Sequence, residues 1–206
     1  MAQIKLTKME LRDQQYKLKQ LQKYLPTLQL KKAMLQTEVN NAIYEIEGLT
    51  HAYHEKMKTC ESFQSLLTDP EAGIIDQAAE VEEVEKRFEN IAGAEIPFFE
   101  KVIFRSMEYS LFETPLWVDS AMEKVQDLVT AKEKIEVVKE KKRILEKELR
   151  EVSIRVNLFE KILIPRTQGH IKKIKVFLGD QELASVAQAK VAKSKIEKRK
   201  AEEAIA

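Results

Sequence analysis

The 206-residue sequence predicts a mainly α fold: a long antiparallel two-helix coiled coil with a short middle region containing a small helix and a β-hairpin. Three observations carry that prediction. Apolar residues recur every seven positions through both ends of the chain. Only 5 Gly and 5 Pro occur, too little turn material for a sheet protein of this length. And the middle breaks the periodicity with a run of strand-forming residues.

The first segment spans residues 4–67. One seam row holds Leu11, Leu18, Leu25, Val39, Ile46, Tyr53 and Cys60; the other holds Leu21, Leu28, Leu35, Ala42 and Leu49. These are the a and d positions of a helix packed along a coiled-coil seam. Gln14, Lys32 and Lys56 interrupt the rows. Pro26 lies within the pattern, where its missing N–H and its ring predict a kink; the phase survives across it, so a full break is not expected.

The last segment spans residues 120–206. Ser120 and Glu123 have capping-box spacing. One row reads Ala121, Leu128, Ile135, Leu149, Val156 and Leu163, with Lys142 interrupting; the other reads Ala131, Val138, Leu145, Val152 and Phe159. At Pro165 the phase slips by one residue, to Ile164, Ile171, Ile174 and Leu178, which predicts local unwinding in a continuing helix. Gly169 and Gly179 weaken this stretch by roughly 1 kcal/mol each relative to alanine.

At 1.5 Å rise per residue the two segments would extend roughly 95 Å and more than about 100 Å. Neither seam is stable in water, so antiparallel pairing is the simplest solution and makes residues 1–206 a single elongated domain. The second helix is the longer, so its basic end is expected to project alone.

The middle region, residues 68–119, begins at the breaker Asp69-Pro70. Residues 75–90 read as a short acidic helix. Ile96, Pro97, Phe98, Phe99, Val102, Ile103 and Phe104, then Tyr109, Leu111 and Phe112, read as a β-hairpin ended by Thr114-Pro115. A lone two-stranded hairpin is marginal in water, so it must lean on the helices or on a partner.

Net charge is +1, but it is polarised. Residues 1–32 hold 8 basic against 2 acidic residues, residues 161–200 hold 11 against 3, and residues 69–100 hold 2 against 10. Folding the chain back on itself makes one end of the helix pair strongly positive. The bland alternative is a solvated helix surface. The single cysteine, Cys60, excludes an internal disulfide. No run approaches the roughly 20 apolar residues a spanning helix needs.

Catalytic signatures are missing. There is no phosphate loop, no G-x-G-x-x-G, no C-x-x-C and no H-E-x-x-H. His51 and His54, with Glu47, Glu55 and Cys60 nearby, have the spacing for a metal site, but an exposed or seam-flanking pair on a charged helix is the more economical reading. His170 stands alone. The Lys-rich run at 190–200 has the charge to bind phosphates, yet lacks interleaved aromatics or any nucleic-acid module. No catalytic, cofactor or metal residue is therefore assigned, and no nucleic-acid partner.

Arg155-Val156-Asn157-Leu158-Phe159-Glu160-Lys161-Ile162-Leu163-Ile164-Pro165-Arg166 resembles the R-V-N-A-L-E-x-x-L-I-P-R signature of V-type ATPase D subunits. Further likenesses follow in that family's order. Leu6-Thr7-Lys8-Met9-Glu10-Leu11 resembles its opening P-T-R-x-x-L, with Leu6 and Lys8 replacing the proline and arginine. Leu30-Lys31-Lys32-Ala33-Met34-Leu35 resembles L-K-x-K-R-x-x-L. Asn90-Ile91-Ala92-Gly93-Ala94-Glu95-Ile96-Pro97 resembles N-V-M-G-V-x-V-P, and Thr114 with Val118-Asp119 matches the end of the middle region. The family's Glu-Arg-Glu run with phenylalanines is replaced by Asp180-Gln181-Glu182-Leu183-Ala184-Ser185, and Phe177 is the one aromatic after Pro165.

The resemblance implies a non-catalytic central-stalk rotor shaft. It would transmit rotation between ATP hydrolysis or synthesis in a ring of A and B subunits and ion transport (proton or sodium) in a membrane ring. The implied partners are the A and B subunits, a small F-type stalk subunit bound near the middle region, and a funnel-shaped subunit above the membrane ring. The implied place is cytoplasmic and peripheral to the membrane, without insertion. Attraction of the positive end to acidic loops of the ring assigns its contacts to Lys5, Lys8, Arg12, Arg166, Lys190 and Lys193. Periodicity alone fits a second reading, a generic coiled-coil scaffold or adaptor.

Overall fold

The computed structural model describes residues 4–61, 73–106, 115 and 117–203. In chain order these form helix α1 (Lys8–Glu61), the short helix α2 (Gly73–Ala78), strands β1 (Val81–Ile91) and β2 (Ala94–Phe104), helix α3 (Trp117–Leu158), a π-helical turn (Phe159–Leu163) and helix α4 (Ile164–Glu203). They divide into two compact units, residues 30–153 and residues 1–29 with 154–206.

α1 starts where Thr7 can cap it. Thr7 Oγ1 accepts the Glu10 N–H at 3.2 Å and the Thr7 carbonyl accepts the Leu11 N–H at 3.0 Å. The helix passes through Pro26 without a break. The residues beyond Glu61, which the periodicity also places in the first segment, lie outside the described ones, as do Asp69-Pro70, Tyr109, Leu111, Phe112 and Thr114.

In the unit of residues 30–153, α1 and α3 run antiparallel. Cys60 Sγ lies 3.7 Å from the Lys124 carbonyl, Lys56 pairs with Asp127 at 3.7 Å, and Glu45 pairs with Lys141 at 2.9 Å. The predicted seam is buried: Leu35, Val39 and Ala42 on α1, and Ala121, Ile135, Val138, Leu145 and Val152 on α3. Ile75 of α2 packs with Val118 and Ala121, backed by Trp117, Met122 and Val125.

That packing moves the start of α3. Ser120 is inside the helix rather than at its cap, because α3 begins at Trp117 and the Val118 N–H already bonds to the Pro115 carbonyl at 3.0 Å. Burying Val118 against Ile75 draws the first turn in ahead of the capping-box motif.

The middle region also differs from the expectation. Residues 75–90 are not one acidic helix: α2 ends at Ala78, and residues 81–91 are the first strand of the hairpin. The hairpin therefore lies one strand earlier than the apolar run suggests. β1 pairs with β2 antiparallel from Val81↔Phe104 to Ile91↔Ala94. Register shifts between Val81 and Glu83 and between Glu85 and Lys86 leave Glu82 and Glu100 as extra residues. A bulge puts residues three apart on one face of a strand. Val81 and Val84 thus share a face while showing the i, i+3 spacing of a helix, which is why the sequence misleads here. The turn is the two-residue Ala92-Gly93, with φ of 53° and 83°, as a type I′ hairpin requires. Asn90 Oδ1 accepts the Gly93 N–H at 2.9 Å.

In the unit of residues 1–29 and 154–206, α1 again meets α4 antiparallel, with Lys8 and Glu182 paired at 3.6 Å. Leu21, Val156, Thr167 and Ile174 are buried. The phase slip at Pro165 has a physical form. Proline has no N–H to give the residue four back, and its ring crowds that carbonyl. The turn just ahead widens so that the Ile164 N–H reaches Phe159 O, an i→i+5 bond. One extra residue enters the helix, and the seam resumes at Thr167, Ile171, Ile174 and Leu178. Thr167, buried on that seam, donates its hydroxyl to the Leu163 carbonyl at 2.7 Å.

Candidate functional site

Two surfaces stand out, one in each unit. The first is basic. Lys5, Lys8, Arg12, Arg166, Lys190 and Lys193 all fall in the unit of residues 1–29 and 154–206, and all are exposed. Lys8 meets Glu182, and Lys193 lies 3.9 Å from Glu197 one turn on. Both pairs are solvated, so each holds its charge loosely and contributes little to stability. From Asp180 to Lys200 every residue of α4 is exposed, Leu183, Val186, Val191 and Ile196 included. Helix without a covered face thus carries the Lys-rich run predicted to project alone.

His170 lies within this unit. Its pKa is lowered from the ordinary histidine value by partial burial, and further by the positive charges of Arg166 and Lys173; Lys17 on α1 adds to this and Glu10 opposes it. The neutral imidazole is therefore favoured beside the basic residues.

The second surface is the hairpin, in the unit of residues 30–153. Ala94, Ile96 and Pro97 of β2 are buried. Cationic side chains of the helices hold the next residues: Lys141 Nζ sits 4.5 Å above the Phe98 ring and Lys134 Nζ 5.1 Å above the Phe99 ring. Lys86 of β1 pairs with Glu140 of α3 at 2.6 Å. Near the tip, Lys31 Nζ would lie 3.5 Å from a methyl group placed on Gly93. At the base, Gln126 Nε2 donates to the Ala78 carbonyl at 2.9 Å, and Arg105 pairs with Glu80 at 3.0 Å. Phe88 is 63% exposed, and Glu82, Glu83, Glu95 and Glu100 of the hairpin are exposed as well. Arg87 pairs with Glu89 along β1.

The sequence does not single out Lys141. It marks Lys142 as the seam interruption, yet Lys142 is only half-buried while Lys141 is 6% exposed. The hairpin explains the difference: it covers the flank of α3 that carries Lys134, Val137 and Lys141, next to the seam proper. The doublet Val137-Val138 is the one trace of that second covered stripe in the sequence.

The histidine pair gathers no ligand set. Tyr53 and His54 meet edge to face at 5.8 Å, Glu55 bonds Lys58, and Cys60 faces the Lys124 carbonyl. Among the described residues no three His, Cys, Asp or Glu side chains converge, and no helix is long and apolar enough to cross a membrane.

Comparison with known proteins agrees with the sequence motifs. The family model for the D subunit of ATP synthase matches residues 10–194. The V-type ATP synthase D subunit of Chlamydia abortus is 46% identical over 202 residues, 98% of this chain and 97% of the relative. The protein of that name in Chlamydia pneumoniae is 46% identical over 201 residues, 97% and 96% of the two chains. That of Chlamydia trachomatis serovar L2 is 44% identical over 191 residues, 92% and 94%.

Proposed function

We propose, because the chain belongs to the family of ATP synthase D subunits, that it is a component of a V-type ATP synthase complex and serves there as the non-catalytic central-stalk shaft. The one observation that carries the reading is this full-length relationship, joined to a fold of paired antiparallel helices. In the shaft role residues 1–206 act as a single elongated domain. Rotation passes between ATP hydrolysis or synthesis in a ring of A and B subunits and the transport of protons or sodium ions in a membrane ring. The chain works peripherally to the membrane, on its cytoplasmic face, and itself performs no chemistry.

Physical features support that role. A long apolar seam resists bending better than a single helix. Exposed Lys, Arg and Glu make weak, screened contacts of roughly 0–1 kcal/mol each, which can be exchanged at every step. On this reading Lys5, Lys8, Arg12, Arg166, Lys190 and Lys193 face acidic loops of the A/B ring. The hairpin and the neighbouring helices receive a small F-type subunit, and a funnel-shaped subunit joins the shaft to the membrane ring.

Native mass spectrometry of the chain co-expressed with the A, B and F-type subunits of its own source tests the proposal. One copy per ring of three A and three B subunits is the expected stoichiometry. A chain that stays alone or self-associates would favour a generic scaffold. In the assembled complex, reversing Arg12, Arg166, Lys190 and Lys193 together to Glu should lower the coupling of ATP hydrolysis to ion transport, while circular dichroism of the isolated variant stays helical. Unchanged coupling would remove these residues from the ring contact.

A further inference from the structure

We propose that Lys141 is a clasp between three elements, so that the hairpin stays docked only while α1 and α3 hold the register that sets Glu45 opposite Lys141. Lys141 is on α3, Glu45 on α1 and Phe98 on β2. The Lys141 ammonium bonds to Glu45 at 2.9 Å and lies 4.5 Å over the Phe98 ring. Its side chain is 8% exposed, against 43% for Glu45.

A buried ammonium needs a counter-charge. Removing one partner of such a pair is far more damaging than removing both. Lysine also has a way out: its stem can swing the charge to solvent when the partner is lost. Loss of Glu45, or a slip of α1 along α3 that carries it away, therefore drives Lys141 outward and off Phe98. Among the described residues Glu45 bonds to Lys141 and to no hairpin atom, so its influence on the hairpin passes through the lysine. A two-stranded hairpin has little stability of its own. What Lys141 releases should thus lose order as well as position.

Hydrogen exchange on the full chain tests this, and no partner subunit is needed. Glu45→Gln and Lys141→Met should each speed exchange of the amides of residues 94–96, 98 and 99 by about tenfold or more, the scale of a local opening. Amides 142–152 of α3 should stay within about twofold of wild type, as expected when a local opening leaves the rest of the fold closed. Glu136→Gln, which breaks the solvated pair with Lys139, is the control and should leave the hairpin unchanged.

Wild-type protection of the hairpin in Lys141→Met would overturn the clasp. Wild-type protection in Glu45→Gln alone would overturn its dependence on register. If Lys141→Met unfolds the helices as well, the double variant Glu45→Met/Lys141→Met removes both charges and should restore them. A hairpin protected in that double variant would also refute the proposal.

Discussion

The two units handle the same helix pairing in opposite ways. In residues 30–153 a lysine is buried and matched, a hairpin covers a second stripe of α3, and register is pinned by a polar contact. In residues 4–29 and 154–203 the seam is narrow, the charges are solvated, and a π-helical turn absorbs a phase slip. Buried polar contacts specify one arrangement, whereas solvated ones leave a surface free to exchange partners. The proposed shaft role would draw on both, with one unit held rigid and the other left free to exchange contacts.

The sharpest way to break the comparison is to empty the seam and the bare helix in parallel. Leu145 is fully buried and Leu183 is 71% exposed, although both are leucines on long helices. Leu145→Ala should cost about 2–5 kcal/mol, the usual range for a buried leucine. Leu183→Ala should stay within about 0.5 kcal/mol. Urea unfolding of the two variants measures both. A large loss at Leu183 would mean that α4 is covered there.

Deleting Pro165 comes next. Counted along the helix, the seam steps run Val152, Val156, Phe159, Leu163, Thr167, Ile171, Ile174 and Leu178, with one residue too many around the proline. Removing Pro165 removes both the surplus residue and the missing donor. The variant should remain within about 1 kcal/mol of wild type or exceed it, because an interior helical proline otherwise costs roughly 3 kcal/mol. Deleting Arg150, where the phase is regular, should shift every later seam residue off the interface and lower the midpoint sharply. Equal damage from both deletions would mean that the π-turn is not a phase correction.

These cases also show how much was legible in the sequence. The seam was: Leu21, Leu35, Val39, Ala42, Ile135, Val138, Leu145, Val152, Val156 and Ile174 all stand on the predicted rows and all are buried. A seven-residue repeat reports directly on which side of a helix is covered. The slip at Pro165 was legible too, though not its π-helical form. The first hairpin strand was hidden, because a bulge gave Val81 and Val84 helical spacing and the acidic residues between them suggested a solvated helix. Lys141 was hidden for a different reason. Its burial depends on the hairpin, a neighbour distant in sequence, and no local period encodes that.

A smaller effect sharpens the contrast at Gly169. A methyl group added there meets nothing within 4 Å. Gly169→Ala should therefore stabilise by up to about 1 kcal/mol through helix propensity alone. A rise of the thermal midpoint is the expected readout, and a fall would reveal a neighbour pressed against that face of α4.

The smallest effect belongs to His170. Its folded pKa lies below the ordinary value of about 6.5 because of partial burial, then Arg166 and Lys173. Between those two values the unfolded chain binds a proton that the folded chain refuses, so stability rises with pH across that window. The contribution is complete above about pH 6.5 and is lost as the pH falls through the folded value. Carboxylates also lose stability on acidification, so the wild type alone cannot isolate the histidine. Urea midpoints at pH 7.5 and 5.5, for wild type and His170→Gln, separate the two. The wild type should lose slightly more than the variant, by less than the glycine substitution gains. Identical losses would show that the basic cluster around His170 is too well solvated to be felt by the imidazole.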